Sequence, residues 1–154
     1  MRDPVEIARQ FLFVREVGGQ NCGVWVGAIQ RVTGNAPPDP WCASFVAFVL
    51  GIAFAGKSPL PRTASCPQLL AVARIQGWLS ATPSVGDVFL RLKADDPNYA
   101  HHTGFVTRVD PDGTIGQISG NTSADGLSSN GDRVAERDLK AAASTIIYIA
   151  YPRT

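Results

Sequence analysis

The chain has almost no excess of charge of either sign. Its 14 Lys and Arg are offset by 13 Asp and Glu, leaving a formal net charge of +1 over 154 residues. Nucleic-acid binding calls for a basic footprint, and none is present. Nor does any Lys/Arg cluster mark an anionic membrane surface. The opening residues, Met1-Arg2-Asp3-Pro4, lack the charged and apolar regions of a secretory signal, so cytoplasmic synthesis is expected. The longest apolar stretch, around Phe45 to Ala55, is too short to cross a bilayer, and no membrane insertion is expected.

Cysteine is scarce and odd in number. Cys22, Cys42 and Cys66 form no Cys-x-x-Cys pair, so neither a zinc ribbon nor a thioredoxin-type site is suggested. At least one thiol is unpaired within the chain, and a Cys22–Cys66 disulfide has no positive support. Histidine is scarcer still. His101 and His102 are adjacent, with no His-x-His or His-Glu-x-x-His spacing, so no metal is expected.

What is present fits one folded domain spanning 1–154. Hydrophobic residues make up 45% and charged residues 18%, enough to bury a core and too apolar for disorder. No internal repeat or low-complexity tract interrupts it. The first half has helical periodicity. Val5 to about Glu16 carries one apolar stripe, stopped by Gly18-Gly19. A second helix over Asn21 to Thr33 would bury Trp25, Ala28, Ile29 and Val32. The proline-rich segment Asn35 to Pro40 cannot be helical. A third helix should begin near Trp41 or Cys42 and be buried on most faces. A fourth has Ser65 as its N-cap and Pro67 in its first turn.

The second half has strand patterns at Asp87–Leu92, Thr103–Val109, Thr114–Ser119, Arg133 to about Arg137 and Thr145–Tyr151. Asp110-Pro111-Asp112-Gly113 is a strong turn signal. The polar stretch Gly120 to Asp132 has the composition of a long loop. Helices first and strands later predict an α+β fold, with N-terminal helices packed on an antiparallel sheet.

The chemistry centres on Cys42. It opens an apolar helix, where unpaired N–H groups and partial positive charge favour a thiolate and can hold an oxyanion. Taken alone, a lone cysteine there is more simply a small buried residue. Side chains alternate along a strand, so only one of His101 and His102 can face the thiol. An imidazole there would take the thiol proton and return it to a leaving amine. Such a base needs a partner to fix its tautomer. In a hairpin turned at Asp110 to Gly113, Thr103 and Ser119 lie roughly opposite, and Asn121 comes within reach of the imidazole. Taken alone, Asn121 is more simply a turn residue, since Gly120-Asn121-Thr122-Ser123 is turn composition.

Three segments resemble the cysteine, histidine-dependent amidohydrolase/peptidase (CHAP) family. They are Glu16-Val17-Gly18-Gly19-Gln20-Asn21 with Trp25; Pro40-Trp41-Cys42-Ala43-Ser44-Phe45-Val46; and His102-Thr103-Gly104-Phe105-Val106, continued by Ile118-Ser119-Gly120-Asn121-Thr122-Ser123. Gly86-Asp87-Val88-Phe89 is similar to the family's strand before the histidine. The resemblance implies a papain-like fold. It also implies Cys42 as nucleophile, His102 as base and Asn121 as polar partner. The implied substrate is an amide of bacterial peptidoglycan, cut as by an N-acetylmuramoyl-L-alanine amidase or a stem-peptide endopeptidase. Many members carry Glu two residues before the Asn. Ser119 stands there, which leaves Asn121 as the candidate third residue. Some members bind calcium in an acidic loop, but no such loop precedes Cys42, so neither calcium nor another cofactor is expected.

Four further residues are candidates for the substrate groove. Trp41 is expected half in the core and half on the groove wall. Asp39 would bind substrate or cap the helix of Cys42. Glu16 would line the groove or serve the chain turn. Tyr99, with Asn98 and His101, would shape specificity from a loop before His102. The expected partner is peptidoglycan, met at the wall or periplasm; the protein partner would be a delivery apparatus or an immunity protein that holds the activity in check. The chain is read as a monomer. The competing readings are a non-catalytic wall-binding or phage/secretion module, and an amidohydrolase acting on a non-wall amide.

Overall fold

The computed structural model describes residues 1–123, 131–140 and 145–154. Among the described residues four helices, α1 (Pro4–Arg9), α2 (Val24–Arg31), α3 (Cys42–Ala53) and α4 (Cys66–Ile75), precede six strands. The strands are β1 (Leu79–Ser80), β2 (Val88–Lys93), β3 (Asp96–Val109), β4 (Ile115–Thr122), β5 (Arg133–Leu139) and β6 (Ile146–Ile149). They form one sheet in the order β1-β6-β2-β3-β4-β5, and every named pair is antiparallel. The fold is α+β, as the order of helical and strand patterns predicts.

The boundaries differ in instructive ways. The first helix stops at Arg9 rather than near Glu16, because the chain turns and pairs with β5. Val134 N–H donates to Val14 O at 3.1 Å, Glu16 N–H to Asp132 O at 2.8 Å, and Arg15 bridges Arg133. The Arg9 guanidinium then clamps α1 to β5 through both oxygens of Glu136, at 3.1 and 2.8 Å. In α2 the buried face is Val26, Gly27, Ile29 and Gln30, whereas Trp25 is 44% exposed. The apolar pattern alone favoured Trp25. What overrides it is Gln30, whose amide ties two loops together and so must point inward. β3 begins at Asp96, so Asn98, Tyr99 and His101 lie on a strand rather than a loop. β1, a two-residue edge strand, has no sequence signal. Of the expected loop from Gly120 to Asp132, Gly120 to Thr122 belong to β4, and 124–130 lie outside the described residues.

α3 is the buried centre. It has Cys42, Ala43, Phe45, Val46, Val49 and Leu50 in the core, and its polar Ser44 is satisfied by the Thr33 hydroxyl at 2.7 Å. Buried hydroxyls are retained where they find a partner. The helix packs on β3 and β4, where Phe105 and Ile118 are fully buried.

Two glycines stand where a side chain would not fit. A Cβ on Gly120 would stand 2.6 Å from Trp41 Cζ3 and 2.9 Å from Phe45 Cβ, so only glycine lets Trp41 lie on β4. A Cβ on Gly104 would stand 2.7 Å from Ser119 Cβ and 2.8 Å from Phe89 Cε1. Gly120→Ala should therefore lower stability by about 1–3 kcal/mol, the usual cost of overpacking a filled core. Urea unfolding would show this as a lower midpoint at unchanged slope. An unchanged midpoint would mean that Trp41 has room to move.

Candidate active site

The loop before Cys42 is held by amides. Gln30, fully buried, donates through Nε2 to Asp39 O at 2.8 Å and to Asn21 O at 3.0 Å. Asn21 Nδ2 donates to Pro38 O at 2.7 Å. Prolines cannot donate backbone hydrogen bonds, so their carbonyls are the handles by which the loop is fixed. Glu16 accepts from Trp41 Nε1 at 3.0 Å. The segment from Glu16 to Asn21 thus grips the residues on either side of Pro40. Glu16 has the structural role among its two expected ones.

Trp41 is fully buried and walls no groove, which corrects the expectation of a half-exposed ring. The absence of a Cβ on Gly120 opens the space that takes it. The Asp39 carboxylate faces back to Asn35 Nδ2 at 3.0 Å and caps nothing on α3. The N-cap position of α3 is Trp41, with no side-chain cap bond. α4, by contrast, is closed by Ser65 Oγ accepting from Gln68 N–H at 3.1 Å. The uncapped first turn of α3 keeps N–H groups free for an anion beside Cys42.

Cys42 is 5% exposed and sits at the first position of α3. Its Sγ lies 3.7 Å from Cys66 Sγ, at the first position of α4. The Cys42 thiol is held well below the ordinary cysteine range. The largest cause is the hydrogen bond from the Cys66 thiol; burial opposes it, and the nearby His102 imidazole and the Ala43 N–H add to it. The Cys66 thiol is pushed well up, first by its bond to Cys42 and then by burial. All three cysteines are free, so Cys66 is paired with neither Cys22 nor Cys42.

His102 is buried on β3, its ring 6.0 Å from that of Phe89. Nε2 lies 3.1 Å from Ser119 Oγ, while buried Nδ1 has no hydrogen-bond partner. Nδ1 is therefore the nitrogen left for Cys42. The motif explains the contact. Continuing the β3–β4 register from Phe105↔Ile118 sets Ser119 opposite Gly104. His102 and Gly104 share a face, and the missing side chain lets the ring lean across to Ser119.

Asn121 was expected to hold the imidazole, and the structure gives that contact to Ser119. The reason is the backbone. Asn121 has φ 53°, the left-handed conformation asparagine tolerates, at a register shift between Ser119 and Thr122. Its amide is turned out of the strand alternation, buried, with neither polar end hydrogen-bonded. The turn composition of Gly120 to Ser123 is the sequence signal for that turn.

Two open clefts flank Cys42. One, of about 270 Å³, is lined by Cys66, Tyr99 and His101 among others. The second, of about 420 Å³, is lined by Gln20, Asn21, His101 and Asn121 among others. Pro40, Cys42 and His101 border both, so the thiol lies between them. Tyr99, 43% exposed, carries Lys93 Nζ 4.3 Å above its ring. Burial, and then the charge of Arg91, pushes His101 below the ordinary histidine range. Of the four expected groove residues, Tyr99 alone is a cleft residue.

No protein-family model matches the sequence, and no curated protein does. Among solved structures the chain is similar to an N-acetylmuramoyl-L-alanine amidase from Staphylococcus aureus, at 22% identity and a TM-score of 0.41. The similarity covers 57% of this chain and 24% of that one, so it spans about a quarter of the staphylococcal protein.

Because the Cys42 thiol is lowered, its thiolate persists as pH falls below the ordinary cysteine range. Alkylation of Cys42 by iodoacetamide, followed by peptide mass spectrometry, should stay fast in that window. His102→Ala should shift the profile to higher pH. A wild-type profile like that of a free thiol would remove the electrostatic argument.

Proposed function

We propose that this protein is a cysteine-dependent hydrolase that cleaves an amide bond of bacterial peptidoglycan. The observation that carries the reading is the His102 ring, in contact with Ser119 through Nε2 and with Nδ1 unpaired, near Cys42 at an uncapped helix start. A lowered thiol, an imidazole with one nitrogen left open to it, and a hydroxyl on the other nitrogen are the parts of acyl transfer. The wall as substrate rests on the ordered resemblance of the three segments around Glu16, Cys42 and His102.

In this mechanism the Cys42 thiolate attacks the amide carbonyl, and N–H groups of the first turn of α3 hold the oxyanion. His102 gives its proton to the leaving amine through Nδ1. Water then attacks the thioester, with Nδ1 as base. Ser119 Oγ accepts from Nε2–H in both the neutral and the protonated ring, so one tautomer serves both steps. Asn121, with an unpaired amide beside the second cleft, is assigned to holding the substrate's peptide groups.

Sacculi incubated with the wild type should release soluble fragments, and Cys42→Ala should release none. His102→Ala should slow release by about 10²–10⁴-fold, the usual share of general acid–base catalysis. Separated glycan with intact stems identifies an amidase, and cleaved stems an endopeptidase. If well-folded wild type releases nothing from several wall chemotypes under reducing conditions, the substrate lies elsewhere or the groove only binds.

The roles of the two β4 residues separate kinetically. Ser119→Ala should lower kcat, since it frees the ring. Asn121→Ala should raise KM with kcat held. The reverse pattern would return the orienting role to Asn121.

A further inference from the structure

The contact between Cys42 and Cys66 joins two thiols that border the same cleft. We propose that Cys42 and Cys66 are a peroxide-responsive pair, in which oxidised Cys42 is captured by Cys66 as an intrachain disulfide that a thiol reductant reverses. That this switches the enzyme off rests on Cys42 being the nucleophile; the oxidation chemistry itself does not.

The geometry supports it. The sulfurs are 3.7 Å apart with no third thiol at the contact, since Cys22 Sγ lies 3.2 Å from Gln20 O on a separate turn. A disulfide needs about 2.05 Å, so the sulfurs must close by about 1.7 Å. Each cysteine opens its helix, α3 or α4, which places its side chain at an end rather than inside a helical turn. The simpler reading of Cys66 is a small buried hydrophobe. A filler, however, has no reason to lie against the most reactive atom of the molecule. The cleft of about 270 Å³ that both residues line admits an oxidant of nearly water size.

The steps balance. The Cys42 thiolate attacks one oxygen of hydrogen peroxide; the S–O bond forms, the O–O bond breaks, and hydroxide leaves as water on taking a proton. The Cys42 sulfur, now a sulfenic acid, is oxidised by two electrons. Cys66 sulfur then attacks it; the S–S bond forms, the S–O bond breaks, and the Cys66 proton leaves with the hydroxide as a second water. Two thiols and one peroxide give one disulfide and two waters. An external dithiol restores both thiols and is itself oxidised.

The full chain would be treated with a small excess of hydrogen peroxide, its free thiols blocked with N-ethylmaleimide, and its unreduced peptides analysed by mass spectrometry. Two of the three thiols should disappear, a Cys42–Cys66 cross-linked peptide should appear, and dithiothreitol should restore both. Cys66→Ala or Cys66→Ser, checked for folding by circular dichroism, should instead accumulate sulfinic acid on Cys42, which dithiothreitol does not reverse. Wild type that carries sulfinic acid on Cys42 without a cross-link, or that links Cys42 to Cys22, overturns the proposal. Sacculus digestion by untreated protein keeps the two readings apart. Digestion without a cross-link removes the switch and keeps the hydrolase; a cross-link without digestion keeps the thiol pair and removes the wall substrate.

Discussion

The contact of Trp41 with Gly120 sets the rest of the site. Trp41 precedes the candidate nucleophile, and Gly120 stands between Ser119 and Asn121. With no Cβ at Gly120 the indole lies directly on β4, against Phe45 and within reach of Glu16. One apolar contact therefore fixes how far α3 stands from the strand that holds the His102 ring. A larger residue at position 120 would lift the helix start, and with it Cys42, away from its neighbours.

The electrostatics follow a less usual route than a carboxylate relay. No acid touches His102 among the described contacts, and Asp39 turns its charge back into its own loop. The thiolate is favoured instead by dipoles and neighbours: the free N–H groups of α3, the imidazole, and a second thiol. A hydroxyl, rather than a carboxylate, contacts the ring. Gln30 and Asn21 supply the rigidity, by binding the carbonyls of a loop that has few donors of its own.

Much of this was legible in the residues. The α+β order, the buried character of the helix after Cys42, and the Ser65 cap all follow from periodicity and local capping chemistry. The thiol, the imidazole and the neighbourhood of Ser119 and Asn121 follow from the ordered segments. What could not be read is set by tertiary contacts. The first helix gives way to pairing with β5. Gln30, polar and central, is buried because two distant loops need its amide. A turn at Asn121 was legible from its neighbours, but not that its positive φ would pass the imidazole contact to Ser119. Cys66 carries no local signal at all, because its meaning lies only in its distance to Cys42.

The two clefts that meet at Cys42 have a kinetic consequence under the proposed chemistry. An extended substrate laid across the thiol fills both arms, one with the acyl half and one with the amine half. The departure of the first product would empty its arm and leave room there for water to reach the thioester. A second amine entering the emptied arm would receive the acyl group in water's place. The choice between cutting a bond and exchanging it would then be made by the occupancy of an arm, with the same three side chains doing the same chemistry in either case.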